Sequence, residues 1–126
     1  GVDMTYPVDS FHAAASVLVG DGHIKQRLMK AFEDHLDAIN EEELPKIRRR
    51  TFVEVQQALH RVSPLNGEGP VRASVRKMSP IEAGDCAIKI LSIYREMLRD
   101  SEVDSADARV AHKARKSVPP FLLKSV

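Results

Sequence analysis

The sequence predicts an all-α domain, an antiparallel bundle of about four main helices with a peripheral C-terminal tail. The stretch from Ser79 to Asp100, SPIEAGDCAIKILSIYREMLRD, opens with a helix start signal and carries the widest apolar surface in the chain. Elsewhere apolar residues recur at three- and four-residue spacing, and a single segment alternates in the manner of a strand. Aromatic residues make up 5% of the chain and tryptophan is absent, so the core is aliphatic and alanine-rich. Such a core suits close-packed helices better than a β-sandwich.

The Ser79–Asp100 stretch is the predicted hub. Ser79 followed three residues later by Glu82 is a capping box, in which the hydroxyl and the carboxylate each accept a backbone N–H of the first turn. Pro80 fits the first helical position, where its missing N–H is not needed. Glu82, Asp85, Lys89, Ser92, Glu96 and Arg99 fall in one narrow polar stripe, and nearly everything else is apolar. One neighbour cannot cover so wide an arc, so the helix is expected inside the bundle, touched by several others.

The remaining elements follow in chain order. Gly1-Val2-Asp3 ahead of Met4 reads as a cloning remnant, and Tyr6-Pro7 as extended. Asp9 or Ser10 can cap a first helix through Val19, with Phe11, Ala14, Ala15 and Leu18 on one face. Gly20-Asp21-Gly22 breaks the pattern and places an aspartate to cap the next helix. His23 to Asn40 is amphipathic, with Ile24, Leu28, Phe32, His35, Leu36 and Ile39 as its stripe. Glu41-Glu42-Glu43 favours the N-terminus of a third helix through the helix dipole, with Pro45 in the first turn and Phe52, Val55, Leu59 and Val62 buried. Ser63 to Gly69 is a loop on turn chemistry. Pro70 to Met78 alternates like a strand but has no strand to pair with, and reads as an extended connector or a short helical turn. Asp104 to Lys116 is a marginal alanine-rich helix. The predicted organisation is a bundle over residues 4–101 and a basic, partly ordered tail over 102–126.

Composition bounds the function. An apolar fraction of 43% and a charged fraction of 29% are those of an ordinary globular chain. No apolar run approaches the ~20 residues of a membrane span, and no signal-peptide pattern is present. Cys86 is the single cysteine, which excludes an intramolecular disulfide and makes a reducing cytoplasm the expected location. Residues 1–44 hold three bases against nine acids (net −6), and the remainder sixteen bases against nine acids (net +7). Such polarity reflects either pairing between helices or a binding face.

Catalytic signals are weak. The five histidines (His12, His23, His35, His60, His112) are scattered, with neither His-Glu-x-x-His nor Glu-x-x-His spacing. His35 reads as a packing histidine, with His12 a possible neighbour. Cys86 lies among Ala83, Ala87 and Ile90, where a thiol behaves as a small hydrophobe. No nucleophile elbow or phosphate-cradling loop occurs, so no catalytic residue, metal or cofactor is assigned and an enzyme is not expected.

Binding signals are clearer. Lys46, Arg48, Arg49 and Arg50 form a basic cluster that Arg72, Arg76 and Lys77 could join in space, giving a polyanion site if the charges are not consumed by neighbouring acids. No aromatics interleave them, which argues against stacking on single strands. The first two helices and their GDG turn have the length of a helix-turn-helix. The acids Glu33, Asp34 and Asp37 on the second oppose that reading. Phe121, Leu122 and Leu123 close a basic tail and are candidates for self-association or for a protein partner. The expected function is a non-enzymatic cytoplasmic interaction or regulatory module that self-associates through apolar surface left by the wide hub and the Phe121 segment, with no membrane contact. The alternative is nucleic-acid binding through the face around Arg48, Arg49 and Arg50.

Overall fold

The computed structural model describes the backbone of residues 5–115 and the side chains of residues 6–102. Among the described residues the chain is all-helical: α1 (Thr5–Leu18), α2 (Ile24–Ala31), α3 (Lys46–Leu59), α4 (Pro70–Lys77) and α5 (Pro80–Arg115). Five helices therefore pack together where about four were expected. The additional one is α4, the segment with strand-like alternation. Its Pro70 takes the first helical position, and Val71, Ala73, Ser74 and Val75 are all buried. Three small or β-branched residues and a serine bury one side of a two-turn helix as readily as a strand, and period alone cannot separate the two in so short a run.

The hub is the longest helix, 36 residues, or about 54 Å at 1.5 Å per residue. Its capping box is present: Ser79 Oγ accepts the Glu82 N–H at 3.1 Å, and Glu82 Oε1 accepts the Ser79 N–H at 3.3 Å. Ala83, Cys86, Ala87, Ile90, Ile93 and Met97 form its buried face, on which α1, α2 and α3 pack. The helix does not stop at Asp100 with a separate helix beyond; it runs unbroken to Arg115. Neither glycine nor proline interrupts Ser101 to Arg115, so no residue there forces an end.

Other boundaries differ for local reasons. The α1 helix starts at Thr5 and not at Asp9, because Pro7 lies in its first turn, where a proline needs no partner for its nitrogen. The α2 helix is capped by His23, whose Nδ1 accepts the Lys25 N–H at 3.1 Å, and not by Asp21. Gly22 at φ +102° makes the turn before it, a conformation that favours glycine. After Ala31 the chain continues as a π-helical turn, Phe32–Leu36, closed by Asp37 N–H donating to the Phe32 carbonyl at 2.8 Å. Glu41–Glu43 do not begin α3. They form a separate 3-10 turn capped by Asn40, and Pro45 then stands at the N-cap of α3.

The interior is one cluster built on Phe11, Phe32, Phe52, Leu28, Leu36 and Ile90, all fully buried. Phe11 of α1 meets Phe52 of α3 edge to face, with ring centroids 5.7 Å apart. The one buried polar side chain among the described residues, Ser74, accepts the Val62 N–H at 3.0 Å and so ties the loop after α3 to α4. Arg27 turns back onto the end of α1, donating to the carbonyls of Leu18 and Gly22.

Two stability changes follow. Phe52→Ala removes a fully buried ring and is expected to cost about 3–5 kcal/mol. Ser74→Ala leaves the Val62 N–H without its partner at a cost of about 1–3 kcal/mol. Urea unfolding at pH 7 measures both, and a change below about 0.5 kcal/mol in either, the range of ordinary surface substitutions, would contradict this packing.

Candidate interaction surfaces

The two basic clusters lie at opposite ends of α3. Lys46, Arg48, Arg49 and Arg50 occupy its first turns. The α4 cluster sits beyond its other end, where Val62 bonds Ser74; the rest of the helix, about 14 Å, separates the two. Within each cluster most of the arginines already have partners. Arg48 clamps α5 with a two-pronged contact to Asp100 (Nε–Oδ2 3.1 Å, Nη2–Oδ1 3.0 Å) and reaches Glu96 at 3.5 Å. These carboxylates hold the Arg48 pKa above its ordinary value, the hydrogen bond to Asp100 contributing most. Arg49 donates to the carbonyls of Leu44 and Glu42 at 3.0 and 3.2 Å, pinning the 3-10 turn to α3. Arg72 meets Glu33 at 3.3 Å and Arg76 meets Glu68 at 2.6 Å. Arg50 is 93% exposed with only a long contact to Glu54, and Lys46 and Lys77 form no ion pair among the described residues.

The same contacts explain part of the charge asymmetry. Glu33 and Asp37 from the acidic first third pair with Arg72 and His60 from the basic remainder. A cleft of about 350 Å³ between α2 and α4 is lined by Lys25, Met29, Arg72 and Arg76 among others. The two arginines are engaged as above, and Lys25 donates to the Arg76 carbonyl at 3.0 Å. Of His23, Lys25, Gln26, Arg27 and Lys30, which a helix-turn-helix would aim at DNA, three are likewise committed: His23 as a cap, Lys25 on α4, Arg27 on the end of α1.

Two of the described histidines bridge elements. His12 Nδ1 lies 2.7 Å from the Tyr94 hydroxyl, joining α1 to α5. His60 stands between the Gln56 carbonyl (2.7 Å) and Asp37 Oδ1 (3.2 Å), with its ring against Phe32. Cys86 is buried, and desolvation pushes its thiol pKa up against the opposing pull of Lys89. A thiol so placed stays protonated at neutral pH and is a poor nucleophile.

The sequence leaves apolar surface on the wide hub without assigning residues to it, and the structure shows which they are. The wide apolar arc of α5 is not wholly covered: Ile81 is 77% exposed, Ile88 61%, Leu98 38% and Leu91 36%. With Gly84 and Arg95 these residues form one stripe along α5, about a third of a turn around from the buried face. Gly84 in that stripe is not needed by the fold, since a Cβ there would meet nothing within 4 Å and its φ is not positive. The signal was present in the sequence as two apolar stripes on one helix, but a bundle interior and an unpartnered outer face give the same pattern. Phe121, Leu122 and Leu123 lie outside the described residues.

No protein-family model matches this chain, and no curated protein or solved structure is significantly similar to it. Among the described residues no helix is long and apolar enough to cross a membrane.

Two measurements check this description. Gly84→Ala in a dilute sample is expected to raise stability by about 1 kcal/mol, the ordinary gain for a mid-helix glycine in open space; a loss would mean the chain itself packs on that glycine. Arg95, Arg99 and Arg48 hold Glu96 below the ordinary carboxylate range, the Arg95 hydrogen bond contributing most, and Arg76 does the same for Glu68. A carboxylate with a lowered folded-state pKa contributes stability that is present above the unfolded value of about 4.3 and is lost as pH falls through the folded value. Stability against thermal unfolding is therefore expected to fall below about pH 4.3, and less steeply in a Glu68→Gln, Glu96→Gln double variant. Parallel pH profiles would contradict the pairing.

Proposed function

We propose that this chain is an antiparallel helical bundle that works by contact rather than by catalysis, a cytoplasmic interaction or regulatory module that self-associates. The observation that carries the reading is the run of four large, substantially exposed apolar side chains (Ile81, Ile88, Leu91 and Leu98) on one face of the central helix. Isolated surface leucines and isoleucines are ordinary, but a contiguous apolar patch on a folded domain marks a contact surface. Helix-on-helix docking uses anchors at three-, four- and seven-residue offsets, and the four here stand seven, three and seven residues apart on one face. Phe121, Leu122 and Leu123 are proposed as a further contact of the same kind.

The nucleic-acid reading has less support. Arg48, Arg49, Arg72 and Arg76 spend their donors on carboxylates and carbonyls of this chain. A polyanion would have to compete with those bonds or be held by Lys46, Arg50 and Lys77 alone.

Two double variants separate the readings. Ile88→Glu with Leu91→Glu is expected to leave a helical, folded chain by circular dichroism, because both side chains reach the surface, and to abolish association measured by light scattering together with any rise of melting temperature with protein concentration. Arg49→Glu with Arg50→Glu is expected to lower stability, because Arg49 pins the 3-10 turn, and to leave association intact. The nucleic-acid reading gains if protein purified at low salt carries a high ratio of absorbance at 260 to 280 nm that the arginine variant abolishes. Tyr6 and Tyr94 are the only tyrosines and tryptophan is absent, so little bound nucleic acid is needed to show.

A further inference from the structure

The outer stripe of α5 has an order that the described residues of one chain do not use. Its positions are Ile81, Gly84, Ile88, Leu91, Arg95 and Leu98, alternating steps of three and four residues. This is the seven-residue repeat of a helix that packs along a second helix. About a point midway between Lys89 and Ile90 the series is its own complement. Ile81 lies as far before that point as Leu98 lies after it, and the same holds for Ile88 with Leu91 and for Gly84 with Arg95.

Two such helices placed antiparallel, with a two-fold axis through that point, bring Ile81 opposite the partner's Leu98 and Ile88 opposite the partner's Leu91. Large apolar side chains then meet large apolar side chains throughout. The one long polar residue of the stripe, Arg95, crosses the one residue with no side chain, Gly84. The space above Gly84 is open, so it can take the arginine stem. Asp85 beside it is exposed and forms no ion pair among the described residues, and it stands where the incoming guanidinium needs a carboxylate. Within one chain Arg95 is 73% exposed and its one ion pair among the described residues is with its neighbour Glu96, which Arg48 and Arg99 also approach. A parallel pair fails on the same residues. It sets Arg95 against Arg95, like charge on like charge in the middle of an apolar stripe, and Gly84 against Gly84 with a void.

We propose that the occupant of this face is a second copy of the chain, held antiparallel through Ile81, Ile88, Leu91 and Leu98, with Arg95 of each copy over Gly84 and against Asp85 of the other. The proposal rests on the reading of the stripe as a contact surface and adds to it the partner, the direction and the register. A two-fold axis makes the interface isologous, so each copy supplies both halves of every contact.

Disulfide trapping tests direction and register together. In a Cys86→Ala background, Ile81→Cys and Leu98→Cys are prepared separately. Both positions are exposed, and circular dichroism checks that each variant folds. In the antiparallel register position 81 faces position 98 of the partner, whereas the two copies of position 81 stand about 25 Å apart at 1.5 Å per residue. A disulfide needs Cα atoms within about 7 Å. Oxidation of either variant alone is therefore expected to give no covalent dimer, and oxidation of their mixture to give a mixed dimer on a non-reducing gel. Covalent dimers from each variant alone would mean a parallel pair and would overturn the proposal. No covalent dimer in any sample, with a dimeric mass for the Cys86→Ala background, would move self-association to another face, residues 116–126 included, and overturn the proposal while leaving the broader reading. A single-chain mass for that background at millimolar concentration would overturn both.

Discussion

Ala83, Cys86, Ala87, Ile90, Ile93 and Met97 give α5 one continuous buried face, and α1, α2 and α3 all pack on it. The small residues at its N-terminal end set how closely the other helices approach, because a helix can come near only where side chains are short. The contacts at its rim follow from that placement. Tyr94 reaches His12 on α1, Lys89 reaches Glu54 on α3 at 3.4 Å, and Asp100 receives the Arg48 clamp. Without the buried face of α5 the shorter helices would have little in common. The α2 and α4 helices have eight residues each, below the length at which an isolated helix holds in water.

The same helix carries more apolar surface than its neighbours can cover. Burying the outer stripe inside one chain would need another helix on that side, and the described residues supply none. The arginines, by contrast, are drawn inward. A guanidinium has five donors in a planar fork, and Arg48, Arg49 and Arg27 use theirs to fasten helix ends and turns. The chain therefore presents its apolar surface outward on α5, while much of its positive charge serves to hold the fold.

Much of the fold is legible in the sequence because its signals are local. The Ser79–Glu82 box, Pro80 and the Phe52-Val55-Leu59 stripe depend on neighbours a few residues away, and each is found where the residue pattern places it. The segment Pro70–Lys77 was ambiguous because eight residues hold too few turns to separate two periods. The end of α5 was misplaced because a sequence that thins in apolar residues does not thereby stop being helical. The Glu41–Glu43 turn was assigned to α3 on charge alone, and the Asn40 cap that closes it earlier was overlooked. At the surface, the basic clusters were visible, but their partners Glu33, Glu68 and Asp100 are distant in sequence or on another element. Only the fold shows which charges are already paired. That the hub leaves excess apolar surface for a contact is legible, but not which residues carry it: a helical wheel gives the width of an apolar arc and not how much of it has a neighbour.

The most direct measurement is sedimentation equilibrium of the unmodified chain over a wide concentration range at neutral pH. If the outer stripe of α5 is a surface that a second copy covers, the apparent mass rises from the 14.0 kDa of one chain toward twice that value as concentration increases, and levels there. A mass that stays at that of a single chain across the range would contradict the account, and leave Ile81, Ile88, Leu91 and Leu98 exposed with no copy of this chain to cover them.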